Sequence, residues 1–87
     1  MDIDEQLRTE GPVTNTVADL IGILSEKIDG VARYGIYADD ARQEGCQGCV
    51  DLFQRLDQQD RQLVGELIGH LQQHLQQGNV LRERRAA

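Results

Sequence analysis

Two cysteines stand three residues apart in Cys46-Gln47-Gly48-Cys49, just after Glu44-Gly45. A C-x-x-C pair that opens a helix suits thiol–disulfide exchange, because the free N–H groups and the dipole of the helix start favour a thiolate. Doubled, the same spacing makes a four-thiolate zinc site. Glu66, His70 and His74 form a second set, stepping by four along one helix edge. A His-x-x-x-His pair chelates zinc, copper or nickel through two imidazoles. Asp57 and Asp60 form a third set, carboxylates that two copies of the chain could bring together as metal ligands. Each set also has a plainer role. The thiols can pack in a turn, the histidines can lie on a wet helix edge with one Glu66–His70 contact, and the carboxylate can be satisfied by a cation or hydrogen bonds.

What these residues do depends on the elements that carry them. Apolar residues recur at helical spacing, and no alternating strand pattern occurs. Val17, Ile21, Leu24, Ile28, Val31, Gly35 and Ala38 advance by alternating steps of four and three, and Leu20 widens the stripe. Asp19, Glu26, Asp29, Arg33 and Asp40 lie opposite, which predicts one long amphipathic helix running to about Glu44. Its start is marked by Gly11-Pro12 and by Thr16 followed by Asp19, a weak capping box. Leu52, Phe53, Leu56, Leu63, Val64, Leu67, Ile68, Leu71 and Leu75 fill the broad face of a second helix. That helix runs from about Gln47 to Gln77 and is closed by Gly78-Asn79. Each helix should be about 45 Å long.

The link around Gly45 is short enough to make the two helices antiparallel neighbours. Gly45 and Gly48 supply the backbone freedom for the reversal. Such pairing sets Gly35 and Ala38 opposite the region of Phe53 to Asp57, and Gly35 is expected to leave space for the Phe53 ring. Both apolar stripes are wider than a two-helix seam covers, and 87 residues make a thin core alone. The expected fold is therefore all-α: an antiparallel two-helix hairpin over residues 16–78 that homodimerises into a four-helix bundle. Residues 1–15 form an N-terminal extension, and residues 79–87 a basic tail in which Arg82, Arg84 and Arg85 are solvated.

The stretch from Leu24 to Leu71 resembles the short helical hairpins of the ferritin-like superfamily. It carries Gly30, Tyr34, Tyr37 and Asp39-Asp40 before the turn glycine Gly45, then Leu52-Phe53, Leu56 and Asp60-Arg61. The resemblance implies a ferritin-like bundle in which helix pairs supply carboxylates and a Glu-x-x-His to a di-iron core. The chain departs from that ligand pattern. Ala32 stands where the metal-binding relatives carry glutamate, and no Glu-x-x-His occurs.

Asp60 projects from the middle of the apolar face, where an unpaired carboxylate is costly. It is expected to pair with Arg61 or Arg33 of a second copy, or to face a wet notch at the dimer axis. Tyr37 falls on the outer face of its hairpin and Tyr34 on a flank. The cysteines sit among Asp39, Asp40, Glu44 and Asp51, with neither the preceding strand nor the proline-bearing loop of a thioredoxin-type site. An antiparallel dimer puts its two turns at opposite ends, away from any shared zinc. Cys46 and Cys49 are thus expected as packed thiols able to close a reversible disulfide.

A net charge of −6 argues against nucleic acid or an anionic membrane as partner. No apolar run reaches the ~20 residues of a membrane span, and the acidic start MDIDEQ does not read as a signal peptide. Together these point to a cytoplasmic protein, with thiols reduced at synthesis. The functional reading is a non-catalytic ferritin-like dimer, an assembly or interaction module whose partner is itself or another protein, with no cofactor. The alternative is a small metal-binding or thiol-redox protein using Asp60, His70 and His74, or Cys46 and Cys49.

Overall fold

The computed structural model describes residues 11–82. They form two helices, α1 (Asn15–Gln43, 29 residues) and α2 (Gln47–Gln77, 31 residues). The helices run side by side as a hairpin, and apart from an isolated bridge between Val13 and Leu81 there is no strand pairing among the described residues.

The reversal is made by Gly45, whose φ of 73° lies in the left-handed region open to glycine. Two bonds close the end of α1: Cys46 N–H donates to the Ala41 carbonyl at 2.8 Å, and Gly45 N–H to that of Arg42 at 3.1 Å. This pair is a Schellman cap. The far end of α2 repeats it around Gly78, also at φ 73°, with Asn79 N–H on His74 and Gly78 N–H on Leu75. Gly48 does not share in the reversal as expected. It lies inside the first turn of α2 without a positive φ.

The start of α1 also differs from expectation. Thr14 is the N-cap and Thr16 lies within the helix, too late to cap it. Thr14 makes no side-chain cap bond; its hydroxyl donates to the Asn79 carbonyl at 3.3 Å. The open end of the hairpin is clipped shut by the segments flanking the two helices rather than by a cap. Thr14 N–H donates to the Val80 carbonyl, and Arg82 N–H to that of Pro12, each at 3.0 Å. Arg82 then reaches back, Nε to the Gly11 carbonyl at 3.0 Å and Nη2 to Asn15 Oδ1 at 2.6 Å. Arg82 is therefore docked, not solvated. Arg84, Arg85 and residues 1–10 lie outside the described residues.

The seam is thin. Val17, Ala38, Ala41 and Val50 are buried, at 1–5% exposure, and no leucine, isoleucine or aromatic ring among the described residues joins them. Val17 lies near the open end and the other three near the turn, so the middle of the seam holds only half-buried side chains such as Leu24, Val31, Leu56 and Leu67. Gly35 is not a berth for Phe53. A Cβ built there meets no heavy atom within 4 Å, and the residue is exposed.

Two glycine-to-alanine changes should therefore act with opposite sign in urea denaturation. Gly45→Ala forces a side chain into the left-handed region and should cost about 1–2 kcal/mol. Gly22 lies mid-helix, exposed, with open space around it. Gly22→Ala should stabilise by up to about 1 kcal/mol.

Candidate functional site

The middle of the seam is occupied by a polar cluster. Tyr34 and Lys27 stand one heptad apart on α1, hence on the same edge, and both reach Asp60 on α2. The Tyr34 hydroxyl donates to Asp60 Oδ2 at 2.7 Å, and Lys27 Nζ to Oδ1 at 3.2 Å. The Asp60 side chain retains 13% exposure and that of Lys27 36%. Each carboxylate oxygen thus has a donor, one neutral and one cationic.

Both donors come from the same chain, whereas the expectation for Asp60 was an arginine of a second copy or a wet notch at the dimer axis. Arg61 is taken by Asp57 in its own helix at 2.9 Å, and Arg33 by Asp29 at 3.1 Å. Lys27 is the residue that sequence reasoning missed. The seven-residue spacing of Lys27 and Tyr34 was the available signal, since two polar side chains on the inner edge of an amphipathic helix require a partner across the seam.

The cluster shifts both its acids. Asp60 is held below the ordinary aspartate range, first by the Tyr34 hydrogen bond and then by the Lys27 hydrogen bond, against a smaller opposing effect of burial, with the Lys27 charge adding least. Tyr34 moves up, because its proton is bound in the hydrogen bond to Asp60, with burial and the Asp60 charge adding to this.

The aromatic rings extend the cluster towards the turn. Tyr37 meets Tyr34 edge-on, centroids 6.2 Å apart, and Phe53 across the seam at 6.3 Å. Tyr37 is 40% exposed, so it does not simply lie along the outer face as expected but bridges the two helices.

At the turn, Cys46 and Cys49 are joined in a disulfide. Cys46 is the N-cap residue of α2 and Cys49 lies in its first turn. Beside them is a hollow of about 300 Å³ lined by Tyr37, Asp40, Ala41, Glu44 and Phe53. The structure thus holds the closed form of the pair.

The histidine set is spread along the far part of α2. His74 Nδ1 lies 2.8 Å from Asn79 Oδ1, a contact that belongs to the helix end, while Glu66 and His70 are exposed. Among the described residues, no three His, Cys, Asp or Glu side chains are gathered as a metal ion would require.

A larger groove opens on one side of the hairpin. It measures about 720 Å³ and runs between Ala32, Gly35 and Ile36 of α1 and Phe53, Asp57 and Arg61 of α2. A second depression on the same side lies between Ile28, Val31 and Val64. Small side chains on α1 make the floor low, and isoleucines stand beside it.

The Asp60 cluster predicts a distinct pH dependence. A carboxyl with a lowered folded-state pKa stabilises the fold above its unfolded pKa, and that contribution is lost as pH falls through the folded value. Wild type should therefore lose stability in acid more steeply than Asp60→Asn, read from urea midpoints between about pH 5 and pH 2. At the alkaline end the sign reverses. Tyr34 helps while its hydroxyl keeps the proton, and loses that help as pH rises past the ordinary tyrosine value of 10.0. Ultraviolet titration should show one late tyrosine in wild type, brought back towards the ordinary value by Asp60→Asn.

Comparison with protein families, with curated proteins and with solved structures finds no match to this chain.

Proposed function

We propose that this chain is one half of a four-helix, ferritin-like bundle, a cytoplasmic homodimer that works by assembly or by holding a protein partner rather than by catalysis. One observation carries the reading: a row of large aliphatic side chains lies outside the seam. Ile28 is 53% exposed and Ile36 61%, and both border the grooved side. Ile21 precedes Ile28 by one heptad, and Ile68 and Leu75 follow Val64 by four and eleven residues along the same edge of α2. These three are 50%, 43% and 66% exposed.

A row of that kind is what a second layer would cover. Two helices make one layer, and a domain needs two to enclose a core. A second copy offers the same row at the same spacing, so a two-fold axis matches aliphatic to aliphatic. The low floor at Ala32 and Gly35 lets the backbones approach, and Ile36 beside it is the knob that such a hollow accepts. The acidic surface speaks against nucleic acid as the cover. Among the described residues, no helix is long and apolar enough to cross a membrane.

Sedimentation equilibrium should give twice the chain mass at micromolar concentration. Ile28→Glu combined with Ile68→Glu should halve that mass and weaken or abolish cooperative unfolding, because a buried unpaired charge costs more than the association returns. Ile23, 46% exposed, lies at the other edge of α1, so Ile23→Glu should leave the mass unchanged. A wild-type chain that stays monomeric and unfolds cooperatively would sink the proposal.

A further inference from the structure

The start of α2 combines three features that neither the bundle nor the Asp60 cluster uses. Cys46 stands at the N-cap, where a side chain ordinarily accepts a hydrogen bond from the second or third helical N–H, here those of Gly48 and Cys49. It makes no such bond while its sulfur is tied to Cys49. Val50 N–H is the first to close on the helix, bonding the Cys46 carbonyl at 3.1 Å, and no acidic residue occupies the first turn. The positive end of the helix therefore points at the disulfide without a counter-charge from its own first turn. Both cysteines are half-exposed. The hollow beside them has apolar walls from Tyr37, Ala41 and Phe53 and carries the exposed carboxylates of Asp40 and Glu44.

We propose that Cys46–Cys49 is an exchange-competent dithiol–disulfide couple that takes electrons from thiols on a neutral or cationic partner and turns away anionic ones. A partner thiolate attacks Cys49 Sγ, forming a mixed disulfide. The bond between the two protein sulfurs breaks, and its electron pair leaves on Cys46 as a thiolate. That thiolate sits at the N-cap, where the N–H groups of Gly48 and Cys49 can donate to it. The partner's second thiolate then attacks the partner sulfur of the mixed disulfide, and Cys49 departs with the electron pair and takes up a proton. In sum the partner's dithiol becomes a disulfide, and two electrons pass to Cys46 and Cys49. The partner's two protons go to Cys49 and to Cys46 or water. Asp40 and Glu44 stand within screening distance of the approaching thiolate, so they select by charge.

The test uses the whole oxidised protein and three probes at low ionic strength: dithiothreitol as a neutral dithiol, cysteamine as a cationic thiol and glutathione as an anionic one. Compared per thiolate, cysteamine should outrun glutathione by about tenfold or more, and the gap should narrow in ~0.5 M salt. Asp40→Asn with Glu44→Gln should narrow it likewise. In the reduced protein, Cys46 should react with a thiol reagent at lower pH than Cys49, compared through Cys49→Ser and Cys46→Ser. A disulfide that resists dithiothreitol in the folded protein, equal rates for the two charged thiols, or a Cys46 midpoint at or above that of Cys49 would each overturn the proposal.

Discussion

The middle of the hairpin is pinned by the carboxylate of Asp60, which receives the Tyr34 hydroxyl on one oxygen and the Lys27 ammonium on the other. The apolar contacts of the seam do not by themselves choose a register. Leucines, isoleucines and valines pack nearly as well one turn up or down, because dispersion and burial are not directional. A carboxylate with two donors fixed one heptad apart has only one position in which both are in reach. The buried residues lie towards the two ends of the seam, near the clipped open end and near the turn. Between them the two helices are joined by a polar contact, the directional bonds of Tyr34 and Lys27 to Asp60.

That arrangement follows from having one layer only. A helix of about 30 residues presents an apolar stripe some 100° wide, but a single neighbouring helix covers only part of it. The uncovered remainder falls on two edges, and they are not alike. One edge carries Ile21, Ile28 and Ile36 over a floor of Ala32 and Gly35. The other carries Tyr37 and the hollow leading to the disulfide. The first edge is an open groove flanked by isoleucines; the second holds aromatic rings and the disulfide beside the carboxylates of Asp40 and Glu44. A protein of this size separates its surfaces by using the two sides of one hairpin.

Helix periodicity and the glycines made most of the fold legible. The steps of four and three placed α1, and Gly45 and Gly78 both take the left-handed conformation that ends a helix. What failed depended on partners far along the chain. Thr16 read as a cap because Asp19 follows it, but the helix begins at Asn15, in a stretch held by Val80 and Arg82 from the other end. Gly35 read as room for Phe53 because the two share a register, yet both line the same open groove. Asp60 was legible as a carboxylate needing a partner. Which partner it takes depends on the register itself, and the nearest cations in sequence were already committed to carboxylates four residues away.

The turn shows how topology and chemistry come to share residues. A Schellman cap requires its left-handed residue immediately before the chain leaves the helix, and Gly45 meets that requirement. Its second hydrogen bond uses the N–H of the next residue, Cys46, which is thereby fixed against the Ala41 carbonyl. The same residue is then the N-cap of α2, so one amino acid closes the first helix with its N–H and opens the second with its carbonyl. Its side chain is left at the positive end of a 31-residue helix, where it makes no cap bond and is tied instead to Cys49. Serine, threonine, aspartate or asparagine would cap there more strongly. A cysteine at that position, paired with another in the first turn, exchanges a better cap for a bond that can be opened.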